Sequence, residues 1–117
     1  MGNGCRIFSI DINEVLEEKE LHVVTVHISI VIPGATSLKD KRMVLRSIID
    51  RVRVRFNVAI AEVGSQDIYD RAELGLATVG ERPSQANGLA DGVLRFIEDT
   101  LEQKGVAEVI DAVFTEY

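Results

Sequence analysis

A chain of 117 residues, 46% hydrophobic and 27% charged, has the length and composition of a single globular domain. Its one cysteine, Cys5, excludes an intrachain disulfide, and no apolar run approaches the roughly 18 residues of a membrane-spanning helix. These two observations predict a cytoplasmic domain that does not enter a membrane. The net charge of −6 weighs against a protein that coats nucleic acid non-specifically.

The first 20 residues are predicted to be an N-terminal extension, ahead of one domain at residues 21–117. The extension contains a short apolar alternation, at Phe8, Ile10 and Ile12, which is typical of a strand, and an acidic cluster follows it.

The domain begins with a strand predicted at residues 21–32. Strict alternation places five branched apolar side chains on one face of this strand: Val24, Val26, Ile28, Ile30 and Ile32. The opposite face carries a mixed set: Val23, Thr25, His27, Ser29 and Val31. Pro33 and Gly34 end the strand, because proline cannot donate to a sheet and glycine adopts turn conformations easily.

A helix is predicted over residues 37–56. Ser37 and Asp40 have the spacing of a capping box, in which each side chain accepts the other residue's free backbone N–H. An apolar stripe follows at helical spacing: Leu38, Val44, Leu45, Ile48, Ile49, Val52 and Phe56. This stripe is expected to pack against the sheet.

Basic residues concentrate on this helix. Residues 39–55 hold seven basic and two acidic side chains, a local charge of +5 that leaves −11 for the rest of the chain. Four of the seven share one helix face beside the apolar stripe and form what we call the basic ridge: Lys39, Arg42, Arg46 and Arg53.

Four further elements complete the domain. Asn57 is expected to leave the helix in a left-handed conformation, and residues 58–63 and 71–79 are predicted to be strands. A second helix, capped by Ser84, is predicted to end at Gly105. A last strand at residues 106–117 is expected to direct three apolar side chains to one side: Ile110, Ala112 and Phe114.

This order of elements, βαββαβ, predicts an α+β fold of the ferredoxin-like type. In this fold a four-stranded antiparallel sheet carries two helices on one face and leaves the other face open. The mixed side chains of the first strand would then lie on the open face.

Three segments resemble the YlxP-like family of small bacterial proteins. They are Ile32-Pro33-Gly34-Ala35-Thr36-Ser37-Leu38-Lys39-Asp40-Lys41-Arg42, then Arg55-Phe56-Asn57-Val58-Ala59-Ile60-Ala61-Glu62-Val63-Gly64, and finally Gln66-Asp67 with Arg71-Ala72. The resemblance covers residues 21–117 and implies a ferredoxin-like fold and a domain of unknown function. Family members are often encoded beside translation initiation and ribosome maturation factors, which implies by association a role near RNA or the ribosome. Residues 1–20 precede the usual family start, and Tyr69 stands where a tryptophan is expected.

The basic ridge is the first candidate for a functional site, because cations on one helix face can contact successive phosphates of RNA. The alternative interpretation is a solvated helix face, since exposed helices commonly carry such charges. A short polar loop is the second candidate, with Glu62, Gln66, Asp67, Tyr69 and Arg71. Its alternative is a structural turn, in which Asp67 accepts backbone N–H groups and Arg71 binds a carboxylate.

Other kinds of site find no support in the sequence. His22 and His27 lie on opposite strand faces without cysteine or carboxylate at ligand spacing, so we predict no metal. No glycine-rich phosphate loop or activated nucleophile is present, so we predict no cofactor and no catalytic residue. The third strand lacks the aromatic residues on which RNA-recognition sheets stack bases.

These observations leave two main hypotheses and a weaker one. The first is a non-enzymatic binding module that contacts RNA or the ribosome through the basic ridge. The second is an oligomeric or protein-interaction domain, a homodimer for example, that pairs through its open sheet. The third is an enzyme that uses the loop between Glu62 and Arg71.

Overall fold

The computed structural model describes residues 20–117, so the strand predicted in the extension and Cys5 lie outside the described residues. Six elements follow in chain order: β1 (His22–Val31), α1 (Leu38–Arg55), β2 (Ala59–Gly64), β3 (Arg71–Gly80), α2 (Pro83–Lys104) and β4 (Glu108–Glu116). Each element predicted within residues 21–117 is present, with ends within two residues of those expected.

The four strands form one sheet in the order β2-β3-β1-β4, and every neighbouring pair is antiparallel. Both helices pack on the same face, so the protein has the predicted ferredoxin-like α+β fold. The core lies between the helices and the sheet. It contains Val24, Val26, Ile28 and Ile30 of β1 and Ile32 just after that strand, and each is at most 2% exposed.

Helix α1 faces the sheet with the predicted stripe and one residue that the prediction missed. Leu45, Ile48 and Val52 are buried, and Lys41 precedes them at the same helical spacing and is also buried. Helix α2 contributes Val93, Ile97 and Leu101, among others. The helices meet where the rings of Phe56 and Phe96 pack edge to face, 5.5 Å apart.

The start of α1 differs from the predicted capping box. Ser37 Oγ accepts the N–H of Asp40 at 3.1 Å, as expected. The carboxylate of Asp40, however, accepts the N–H and hydroxyl of Thr36, at 2.9 and 3.0 Å. Asp40 therefore orders the turn before the helix.

Two other predictions about helix ends were wrong. Helix α1 ends at Phe56 in an extended conformation, so Asn57 is not left-handed; Ser65, with φ 55°, is the one non-glycine residue with positive φ among residues 20–117. Helix α2 is capped at Arg82, not Ser84, and the side chain of Gln85 accepts the backbone N–H of Arg82. Pro83 fits the first helical position, because it has no N–H to satisfy.

Strand β4 contains an irregularity that reverses the expected direction of one side chain. Ala112 and Phe114 lie opposite Ile28 and Val26 on the helix side, but the register shifts so that Ile30 pairs with Val109. Ile110 is therefore 48% exposed instead of buried. A one-residue bulge has this effect because side chains alternate along a strand.

Candidate functional site

The basic ridge lies on the solvent side of α1. Lys39, Arg42 and Arg46 are exposed and follow one another at steps of three and four residues, so they line one face. Within residues 20–117, none of the three lies within 4.0 Å of a carboxylate oxygen; the ion pairs there involve other residues. The ridge is thus a set of cations whose charge the described part of the fold does not pair.

Three of the other charges on α1 have a local partner or a stacking contact, whereas Asp50 and Arg51 are exposed. Arg53, the fourth member of the ridge, donates from Nη2 to the carbonyl of Ile60 at 2.9 Å and so links α1 to β2. Arg55 lies over the rings of Phe56 and Phe96. The hydrogen bonds from Thr36 hold the pKa of the Asp40 carboxyl below its usual range. Asp40, one of the two acids inside the basic segment, is therefore engaged mainly by Thr36.

Lys41 is the one residue of the basic segment that points into the domain. Its side chain is 2% exposed, and Nζ donates to the carbonyls of Ser65 and Ile68, at 2.5 and 2.9 Å. The same nitrogen lies 2.9 Å from Glu62 Oε2, as an ion pair without the alignment of a hydrogen bond. Lys41 thereby fixes the connection between β2 and β3 to helix α1.

The fold separates the residues of the predicted loop site. Glu62 lies on the helix side of the sheet with Lys41, because its register partner is the buried Leu74. Arg71 lies on the open face, where it pairs with Glu73. The side chains of Gln66, Asp67 and Tyr69 are exposed in the connection between the two strands. The five residues thus do not converge on one cavity.

A polar cluster on the open face was not predicted. Glu73 has a 12% exposed side chain. Its Oε1 accepts Ser29 Oγ at 2.7 Å and lies 2.9 Å from His27 Nε2, and its Oε2 accepts Arg71 Nε at 2.9 Å. These donors, Ser29 first, lower the pKa of Glu73 to about 2. The carboxylate is a fixed anion that the chain itself satisfies.

The sequence prediction missed Lys41 and Glu73, and only the role of Lys41 could have been inferred from a local pattern. Lys41 stands four residues before Leu45, so its place in the apolar stripe could have been read from the helical spacing. Glu73 gave no such signal, because its partners Ser29 and His27 come from a strand more than 40 residues earlier. Only the pairing register of β1 and β3 brings them together.

Residues 20–117 contain neither a cluster of metal ligands nor a helix that could span a membrane. No group of three or more His, Cys, Asp or Glu side chains is arranged to hold a metal ion in that range. Neither of the helices described there is long and apolar enough to cross a membrane.

Comparison with known proteins agrees with the resemblance drawn from the motifs. The profile of a family described as "Protein of unknown function (DUF503)" matches residues 23–112. The "Uncharacterized protein YlxP" of Bacillus subtilis (strain 168) is 43% identical over 68 residues, which cover 58% of this chain and 74% of that protein. Neither description assigns an activity.

Among solved structures, the chain is similar to a C-terminal segment of the alpha subunit of aIF2 from Pyrococcus abyssi. The identity is 14%, the TM-score is 0.46, and the match covers 81% of this chain and 51% of that chain. A similarity of this extent carries no argument about function.

Proposed function

Because this chain belongs to the DUF503 family of proteins of unknown function, we propose a function from its surface: it is a non-enzymatic module that binds RNA phosphates through the basic ridge. The observation that carries the proposal is the exposure of Lys39, Arg42 and Arg46 without carboxylate partners among residues 20–117. An anion that contacts these cations need not displace an existing ion pair.

The geometry of α1 suits a strand of phosphates. Residues three and four apart on a helix have Cβ atoms about 5–6 Å apart, so the three cations form a row. Such contacts position a protein on nucleic acid without reading its sequence, and they supply affinity that depends on salt. The open sheet face supports this assignment indirectly, because β3 presents no aromatic side chain there on which a base could stack.

The rest of the chain carries the opposite charge, which favours one oriented binding surface over general attraction. Acidic side chains line a cleft at the end of α2 and the start of β4: Glu98, Asp99, Glu102 and Glu108. RNA would be repelled from this side and attracted to α1, so the protein would present one face to its partner.

The test is RNA binding by the full chain in which Lys39, Arg42 and Arg46 are all replaced by alanine. Fluorescence anisotropy with a single-stranded RNA should show at least about tenfold weaker binding at low salt. The slope of log affinity against log salt should fall in magnitude by about 2, since each phosphate contact on a single strand contributes about 0.7.

A matched control removes three other exposed cations, Arg51, Arg95 and Lys104, and changes the net charge equally. This control should keep most of the wild-type affinity and slope. Equal weakening in both triple variants would reduce the effect to net charge alone, and a wild-type chain that does not bind RNA or co-sediment with ribosomes would disprove the proposal.

A further inference from the structure

The face of the sheet opposite the helices is mostly apolar and uncovered by residues 20–117. Its central strands present Val23, Thr25 and His27 from β1 beside Val79, Ala77 and Gly75 from β3, as the pairing register requires. Charged groups are confined to one end, where Arg71 and Glu73 pair with each other and Asp111 of the edge strand β4 lies opposite Ser29. A large exposed apolar patch of this kind marks an interaction surface.

The two halves of this open face differ in side-chain size. On the β2 and β3 half, Ala59, Ala61, Gly75 and Ala77 form the floor of a shallow groove of about 400 Å³. On the β1 and β4 half, the aligned positions carry larger side chains, including His27 beside Val113 and Thr25 beside Thr115. One half is therefore recessed and the other raised.

We propose that a second copy of this chain covers the open face, related by a two-fold axis that runs between β1 and β3 and parallel to them. This rotation places β4 of one copy over β2 of the other, and β1 over β3. By the register, His27 then lies over Gly75 of the second copy, and Val113 lies over Ala61. Each raised half enters a recessed half, and the same contacts occur twice, as a two-fold interface requires.

The size of the face is near the smallest that supports a specific dimer. Strands β1 and β3 have 10 residues each, β4 has nine and β2 has six. With about 3.3 Å per residue and about 4.8 Å between strands, each copy offers roughly 500–600 Å² in projection. The two copies together then bury about 1,100 Å² or more, close to the lower bound of about 1,200 Å² for specific stable interfaces.

The charge nearest the centre of the face is already paired, and exposed Asp111 lies on the edge strand β4, at the rim of the proposed interface. Glu73 would lie under Ser29 of the second copy, and its carboxylate already accepts hydrogen bonds from its own chain. Burial of a charge is costly chiefly when the charge is unpaired, and here it is paired before association. The dimer would be a four-layer α-β-β-α sandwich with both basic ridges on its outer surfaces, so it uses a surface separate from the proposed RNA contact.

The first experiment measures the mass of the full chain in solution by light scattering. We expect a dimer when the chain concentration is raised to about 100 μM, because even a modest affinity populates the dimer at that concentration. Ala77→Arg, at the centre of the face, should raise the dimer Kd at least about 100-fold, because it places an unpaired charge in an apolar interface. The control is Val54→Arg on the outer side of α1, where Val54 is 89% exposed, and it should remain dimeric. A monomeric wild-type chain would overturn the proposal and leave the face to a different occupant.

A second experiment tests the orientation. In a Cys5→Ser background, Ala61→Cys and Val113→Cys chains are mixed and treated with a thiol cross-linker that spans the about 10 Å between packed sheets. The mixture should cross-link efficiently, and either variant alone should not, since like positions lie at opposite edges of the face. Equal cross-linking in all three samples would overturn the proposed axis. Ala77→Arg leaves the basic ridge intact, so a loss of dimer and a loss of RNA binding are distinguishable.

Discussion

The helix-covered and open faces of the sheet each hold one nearly buried charge, and they stabilise it differently. On the covered face, Lys41 donates to two backbone carbonyls and pairs with Glu62. On the open face, Glu73 accepts from side chains alone, chiefly those of Ser29 and Arg71. The covered charge therefore holds separate elements of the chain together, whereas the open charge orders neighbouring strands within the sheet.

This difference predicts unequal consequences when each charge is removed. Loss of Lys41 leaves carbonyls and a carboxylate without partners in a place that water enters poorly. In the isolated chain, loss of the Glu73 charge leaves groups that can turn toward solvent. Substitutions on the covered face should thus cost more than those on the open face.

The largest effect is expected from Lys41→Ala. We expect a loss of about 3 kcal/mol in the free energy of unfolding, because the change unpairs Glu62, frees two carbonyls and opens a cavity. Lys39→Ala is the matched control: Lys39 is exposed two positions earlier, and its loss should change stability by less than about 0.5 kcal/mol. Urea denaturation measures both. Similar values for the two lysines would contradict the structural role of Lys41.

Local patterns and long-range pairing differ in how well the sequence could predict them. Alternation in β1 and helical spacing in α1 and α2 are local patterns, and they predicted all six elements and the ferredoxin-like topology. The ends of elements were predicted less accurately, because a helix cap depends on single hydrogen bonds. Ser84 was predicted to cap α2, but the helix begins after Arg82, whose N–H is accepted by the side chain of Gln85. The bulge at Ile110 depends on pairing with β1, which no local pattern records.

The candidate site shows the same limit. The basic ridge could be proposed because its residues are neighbours on one helix. The predicted loop site failed to assemble, since Glu62 and Arg71 lie on opposite faces of the sheet. The Glu73 cluster could not be anticipated, because it needs the register of two strands distant in sequence.

An intermediate effect is expected from acid, through Glu73. Its pKa is about 2 in the folded chain and near 4.5 when unfolded, so the unfolded chain takes up the proton first as the pH falls. The stabilisation is complete above about pH 5 and is lost between about pH 4.5 and 2, by about 1–2 kcal/mol once solvent screening on the open face is considered.

The comparison variant for this prediction is Glu73→Gln, which lacks the titrating group but keeps the shape. His27 and Arg71 face the carboxylate and are present in both chains, so the difference between wild type and variant reports the Glu73 carboxyl together with its contacts. Denaturation at about pH 7 and about pH 3 should show wild type losing more stability than the variant. An equal loss in both would place the acid sensitivity elsewhere.

The smallest effect is expected from Gly75→Ala on the open face. A Cβ at Gly75 would lie 2.8 Å from Cγ1 of Val63, which is a tight contact. Val63 is 54% exposed on an edge strand and can rotate away, while alanine favours a strand more than glycine does. The two terms offset each other, so the free energy of unfolding should change by less than about 0.5 kcal/mol. Gly80→Ala is the contrast and should be more destabilising. Its Cβ would lie 2.9 Å from the backbone nitrogen of Ala86, and this nitrogen belongs to helix α2 and cannot move aside as a side chain can. If Gly75→Ala lowered the free energy of unfolding and Gly80→Ala did not, the surroundings of Gly75 would be the more rigid of the two sites.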